Sequence, residues 1–354
     1  MTDFKRELDD LVVIVAKEGA SDLHLTVGGH PVIRVSGDLI PIVKKPVLTA
    51  DDTMGIVMEV LSEESRAIFL QNKEIDFSYS LPEGIRFRCN AFFQKGFVGV
   101  AFRLIPLKVK TLAELGLPEQ LADFTRRQQG FFLVVGPVGQ GKSTTLAAMV
   151  ELINHERAEH IITIEDPIEY MFTNDRSIID QREVRFDTHD FRTALRSMFR
   201  QDVDVAMIGE MRNPETISTA VTAAETGHLI LSTLHTNSAA QTVDRINHSF
   251  PANQQRQIRV QLAGSLLGIF SQRLVPRVSG GLIPAHELLL NNTAVANLIR
   301  EGRTPEIDVV IETGSEEGMV DLNHSLADLV TRSEISAENA YRYSFNPKGL
   351  DRLL

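Results

Sequence analysis

Along residues 3–18, Leu8, Leu11, Val12 and Val15 recur at i, i+3, i+4 and i+7. This spacing predicts an amphipathic helix that ends at Gly19. The next stretch, SDLHLTVGGHPVIRVSGDLIPI, alternates apolar and polar residues around turns at Gly28-Gly29 and Ser36-Gly37. A period of two predicts a meander of short strands. TADDTMGIVMEVLS reads as a helix capped by Thr49. Three further strands are expected from EIDFSYSL, IRFRCNAFF and FVGVAFRLI, divided by Pro82-Glu83-Gly84 and Gln94-Lys95-Gly96. Together these describe a small α+β domain over residues 1–106, with a linker at 107–120.

From Phe131 the rhythm changes. The apolar runs FFLVV, HIITI, DVAMIG and HLILST alternate with helical patterns at Lys142–Asn154, Asp187–Gln201 and Pro214–Thr226. Strands alternating with helices predict a mainly parallel, doubly wound α/β sheet in a second domain over 121–354. After Arg256 the chain reads as mostly helical. Ligands of such sheets bind beyond the carboxyl ends of the strands, so the residues after each apolar run are the ones that matter.

Composition narrows the class. At 354 residues the chain exceeds one ordinary core, in keeping with two domains. Hydrophobic residues at 43% and charged ones at 23% describe a globular protein. No apolar run is long enough to cross a bilayer, and MTDFKRELDD has no apolar centre of a secretory signal. A cytoplasmic location is therefore expected, with any membrane role running through a protein partner. The net charge of −11, four Tyr and no Trp disfavour a general nucleic-acid binder. Cys89 is the single cysteine, which excludes an intrachain disulfide and a tetracysteine zinc site.

GPVGQGKST, Gly136 to Thr144, follows FFLVV and precedes a helical pattern. It fits G-x-x-x-x-G-K-[ST], in which backbone amides curl around phosphate, the lysine (Lys142) reaches the β- and γ-phosphates and the serine (Ser143) faces Mg²⁺. The helix N-terminus adds positive partial charge. A chance match in a chain of this length is on the order of one in a hundred. Two other apolar runs end in acids, at Glu165-Asp166 and at Gly209-Glu210. Carboxylates at neighbouring strand ends can position water and a hydrated Mg²⁺ for phosphate chemistry. The Asp usual before the second acid is here Gly209, so Glu210 acts alone or shares the task with Glu165.

ETGHLILSTLHTNS holds His228 and His235. Their spacing suits no common zinc site. A strand over 228–233 puts His228 at its amino end and His235 just past its carboxyl end, where the phosphate loop is expected. His235, beside Thr233 and Thr236, is then the candidate sensor of the γ-phosphate. His228 reads equally as a structural residue.

These segments, with RFRCNAFFQ, ITIEDPIEY, QREV, FRQDVDVAMIGEMRNPETI and FPANQQRQIRVQLA, resemble the PilT family of type IV pilus retraction ATPases over nearly the whole chain. That family lies in the secretion-ATPase superfamily with GspE and PilB. The resemblance implies a hexamer with a PAS-like N-terminal domain and a RecA-like ATPase domain, ATP lying between them. It assigns Gly136, Pro137, Val138, Gly139, Gln140, Gly141, Lys142, Ser143, Thr144 and Thr145 to ATP and Mg²⁺. It makes Glu165 the residue that polarises water, Glu210 the Walker-B acid facing metal, and His228 and His235 members of a histidine box. It also implies that Arg88 and Arg103 of the N-terminal domain complete the site, although the residues themselves say only that Arg86 and Arg88 share a strand face. Implied partners are an inner-membrane pilus platform protein and other pilus motors, with no nucleic acid. Val138, Val203, Asn213 and Ala296 depart from the family pattern, which has Thr, Pro, Asp and Arg there. Absence of a zinc motif favours retraction over the extension and secretion types, and Ala296 keeps a PilU-like accessory motor open. A RecA-like nucleic-acid motor and a non-hydrolysing scaffold are the readings from other classes.

Overall fold

Leu8, Leu11, Val12 and Val15, the first apolar stripe, are all fully buried. The helix that carries them, α1 (Phe4–Lys17), starts at Asp3, whose carboxylate accepts from the Arg6 amide. The structure is a computed structural model and describes residues 3–35, 37–81, 84–106, 108–211 and 213–354. The turns expected at Ser36-Gly37 and Pro82-Glu83-Gly84 fall partly outside these residues. Two compact units are present: residues up to Lys108 together with Glu169–Met171, and Val109–Ile168 together with Phe172–Leu354.

In the first unit α1 is followed by β1 (Asp22–Leu25), β2 (Val32–Val35), β3 (Asp38–Pro41), α2 (Ala50–Val60), α3 (Glu63–Asn72), β4 (Glu74–Ser80), β5 (Arg86–Gln94) and β6 (Phe97–Ile105). The strands form one antiparallel sheet in the order β3-β2-β1-β6-β5-β4. Thr49 caps α2 with a full capping box, its hydroxyl accepting from the Asp52 amide while Asp52 accepts from the Thr49 amide. Helix α3 gave no periodic signal because only Phe69 of its ten residues is buried. Alternate residues of β5 (Phe87, Cys89 and Ala91) enter the core with Leu23, Phe69 and Phe102. Arg86 and Arg88 are left together on the other face, as the period of two requires.

The second unit contains α4 (Leu121–Thr125), β7 (Gly130–Val135), α5 (Lys142–Glu156), β8 (His160–Glu165), β9 (Ile178–Glu183), α6 (Phe191–Met198), β10 (Val205–Ile208), α7 (Pro214–Glu225) and β11 (Leu229–Leu234). It continues through α8 (Ala239–His248), α9 (Ala252–Ser265), β12 (Leu266–Pro276), β13 (Leu282–Leu290), α10 (Thr293–Glu301), α11 (Ile307–Thr313), α12 (Leu322–Thr331), α13 (Ala337–Tyr343) and α14 (Pro347–Leu350). Its sheet runs β13-β12-β7-β11-β10-β8-β9, parallel except for the β12/β13 hairpin. Phe131, Leu133 and Val135 of β7 enter one core and Phe132 and Val134 the other. Burial on both faces is why these strands read as unbroken apolar runs. This is the expected RecA-like α/β architecture behind a small α+β unit.

Three expectations change. The region after Arg256 holds the expected helices, α9 to α14, but also β12 and β13, a hairpin that extends the sheet past β7. Both strands are buried along almost their whole length, and a run buried on both faces has no period by which to separate strand from buried helix. Strand β9 adds a parallel edge where none was read. The segment taken as a linker belongs from Val109 onward to the second unit, where Leu112 and Leu117 pack with Phe124 and Phe132.

Candidate nucleotide site

Strand β7 lies between β12 and β11, and Val135 hands the chain to the loop that opens α5. Two of its glycines are forced. Gly136 has φ 149°, and a Cβ there would come within 2.5 Å of the Gln272 carbonyl oxygen. Gly141 has φ 78°, and a Cβ would meet the Gln272 Nε2 at 2.9 Å. Gln272 itself is 3% exposed. Its carboxamide accepts from the Thr145 hydroxyl at 2.7 Å and donates to the Gln140 carbonyl at 2.7 Å. The Gln140 side chain in turn accepts from the Leu274 amide at 2.7 Å. Gln140 and Thr145 therefore anchor the loop to β12, while Pro137, Ser143 and Thr144 are half-buried and Val138 and Gly139 exposed. Gln272→Leu leaves the Thr145 hydroxyl and Gln140 carbonyl unpaired in a buried place. Affinity for ATP is expected to fall about tenfold, the equivalent of about 1.4 kcal/mol. Titration with a fluorescent ATP analogue checks this, and an unchanged Kd would remove the clamp from the account.

Lys142 is only 6% exposed, and its Nζ donates to the Pro137 carbonyl at 2.8 Å. The same Nζ lies 3.2 Å from the Nδ1 of His235. An ammonium group has donors only, so Nδ1 must accept. In a neutral ring the proton then sits on Nε2, which faces the Glu210 Oε1 at 3.6 Å. A polarised chain thus runs from Lys142 through His235 to Glu210, across the ends of α5, β11 and β10.

Glu165 ends β8, the neighbour of β10. It is 6% exposed, and its Oε1 accepts from the Thr163 hydroxyl at 2.7 Å and from Gln181 at 3.4 Å. Gly209 lets the chain leaving β10 pass close to the end of β8. Its amide donates to the Ile164 carbonyl at 2.8 Å, and a Cβ would lie 3.3 Å from that oxygen and 3.4 Å from the Glu165 Cα. The Asp usual at this position would crowd the end of β8. Thr233 fixes the same turn by donating to the Gly209 carbonyl at 2.6 Å. Asn213 does the capping its acid counterpart would do, accepting from the Thr216 amide at 2.9 Å at the start of α7.

No cluster of three or more His, Cys, Asp or Glu side chains that could by itself hold a metal ion occurs among the described residues. Mg²⁺ on a nucleotide needs only one or two protein oxygens beside phosphate and water. The Ser143 hydroxyl at the start of α5 and the Glu210 carboxylate past β10 are donors of that kind.

His228 precedes β11 at the end opposite His235, and the six residues between them span roughly 20 Å. Its Nδ1 lies 3.1 Å from the Ala223 carbonyl in the last turn of α7, and its ring meets Phe199 edge-on at 5.5 Å. His228→Ala is expected to lower the melting temperature by about 2–4 °C, as one hydrogen bond and a ring contact should. Its loss of turnover should be smaller than that of His235→Ala; the reverse order would make His228 more than structural. Arg88 and Arg103 are cross-strand partners in the first unit. Arg103 binds Asp22 at 2.8 Å on β1. Although burial opposes the charge, hydrogen bonds from Ser21 and Arg103 hold the Asp22 carboxyl below its ordinary range. Gln272 and Thr163 were not singled out from the sequence, and Thr233 was noted only as a neighbour of His235. Their signal was polar residues inside apolar runs, legible only once those runs are known to be strands beside the loop.

Residues 3–281 match the family described as "Type II/IV secretion system protein". The chain is 44% identical over 334 residues to the "Type IV pilus retractation ATPase PilT" of Pseudomonas aeruginosa, covering 94% of this chain and 97% of that one. It is 41% identical over 339 residues to that organism's "Type IV pilus ATPase PilU", covering 96% and 88%. The crystal structure of the pilus retraction motor PilT with bound ADP superposes with a TM-score of 0.90 at 43% identity, covering 97% of this chain and 98% of that one.

Proposed function

Because the chain belongs to the type II/IV secretion system family and within it to the PilT-type ATPases, we propose that it is a motor that retracts type IV pili by hydrolysing ATP. The observation that carries the reading is the contact chain Lys142–His235–Glu210 beside a glycine loop that only glycine can form. Lys142 would lie along the β- and γ-phosphates, and the loop amides and the α5 N-terminus would take the remaining charge. Mg²⁺, bound through Ser143 and Glu210, would neutralise charge on the phosphate oxygens. Glu165 would orient and polarise the attacking water. His235, bonded to Lys142 on one side and facing Glu210 on the other, would register whether the γ-phosphate is present. Catalysis of this kind is positioning and charge stabilisation rather than covalent chemistry. The same reading gives Arg88 and Arg103 the task of answering phosphate charge.

The motor would work as a homohexamer. No helix among the described residues is long and apolar enough to cross a membrane, so the inner-membrane attachment we propose runs through a pilus platform protein. Deleting the gene in its host should leave cells piliated but unable to twitch; bald cells would mean an extension motor. Turnover should be indifferent to single-stranded DNA. Ala296, buried on α10 where the family has Arg, favours a second reading as a PilU-like accessory motor. On that reading deletion leaves pilus retraction intact whenever another retraction ATPase is present.

A further inference from the structure

Arg273 follows Gln272 on β12, so its side chain leaves the opposite strand face, though its Nη1 still donates to the Gln272 carbonyl at 3.5 Å and lies beside Gly136. It is 6% exposed. Its Nη2 donates to the Asn237 carbonyl at 3.2 Å and to the Asn237 Oδ1 at 2.9 Å, and the Phe345 ring covers the guanidinium at 5.3 Å. The Ser271 hydroxyl donates to the same Asn237 carbonyl at 3.0 Å. From β13, the Glu287 Oε1 accepts from the Ala239 amide at 2.7 Å in the first turn of α8. Three side chains of one hairpin thus converge on residues 237–239, the short turn that follows His235.

A buried arginine is poorly tolerated unless its donors are met. Burial lowers the Arg273 pKa here, opposed by the charge of Glu287, whose own carboxyl is pushed up to about 7 by burial. Removing so costly a group for an apolar one would be simple if it only filled space. Its Nη2 instead donates to both a backbone oxygen and a side-chain oxygen of one residue, which fixes that residue in position and orientation.

We propose that Arg273 is a positioning residue of ATP hydrolysis: by gripping Asn237 it keeps His235 between Lys142 and Glu210. It acts through Asn237 and not on the nucleotide. The inference rests on the ATPase reading above for its kinetic part and on geometry alone for its conformational part.

The test uses the full chain, with Arg273→Met and Asn237→Ala. In each, kcat should fall about tenfold while KM for Mg-ATP stays within about twofold. Arg273→Lys, which keeps one donor to Asn237, should recover part of the loss. In a His235→Ala background neither substitution should lower kcat further. Backbone amides of 235–239 should exchange hydrogen faster in Arg273→Met and in Asn237→Ala alike. Wild-type kcat in both single variants, or losses that multiply with His235→Ala, would overturn the proposal. Should Arg273→Met fail to fold, Asn237→Ala on the exposed turn decides it. A wild type without turnover would defeat the ATPase reading instead, and exchange at 235–239 would then judge the positioning claim by itself.

Discussion

Lys142→Ala is expected to lower ATP turnover at least about a thousandfold, which corresponds to about 4 kcal/mol of lost transition-state stabilisation. The size follows from preorganisation. The ammonium is held nearly out of water by the Pro137 carbonyl and the His235 Nδ1, so it need not be gathered in when phosphate charge develops. Alanine removes that charge and also the donor that sets the His235 tautomer, so the fault spreads from binding to the path toward Glu210. Phosphate release under steady state measures it. Turnover within about tenfold of wild type would take Lys142 out of the reaction.

Glu210→Gln should separate binding from chemistry. The substitution keeps size and shape but removes the charge facing the His235 Nε2 and, on our reading, the metal ligand. Nucleotide should bind about as tightly, while turnover falls on the order of a hundredfold or more. Single-turnover hydrolysis beside an ATP-analogue titration distinguishes the two. Normal hydrolysis would pass the role to Glu165. The contrast is informative because the two acids differ in setting: Glu165 is nearly buried and hydrogen-bonded to Thr163, whereas the Glu210 side chain is 23% exposed.

The phosphate loop, the four central strands and the different positions of His228 and His235 could all be read from residue order, because glycine spacing and apolar runs are local signals. What escaped was non-local. Leu266–Pro276 carries no period, so nothing in it announced a strand beside β7. Without that neighbour Gln272 and Arg273 were only polar residues among apolar ones. Gly209 was noticed as a departure, but its reason, the close approach to Ile164 and Glu165, exists only after β8 and β10 pair. Arg88 and Arg103 entered through resemblance alone; a strand period places Arg88 on a face and says nothing of what that face meets.

The clamp on the phosphate loop also sets a schedule. Thr145 meets Gln272 across 127 positions of sequence and Gln140 meets Leu274 across 134. Contacts so distant in sequence close late, after a large loop-entropy cost has been met. At synthesis rates of about 5–20 residues per second, the loop leaves the ribosome roughly ten seconds before the strand that shapes it. A nascent chain therefore carries every residue of its nucleotide motif well before it can hold that motif closed. ATP can stabilise this unit only once the β12–β13 hairpin has joined the sheet.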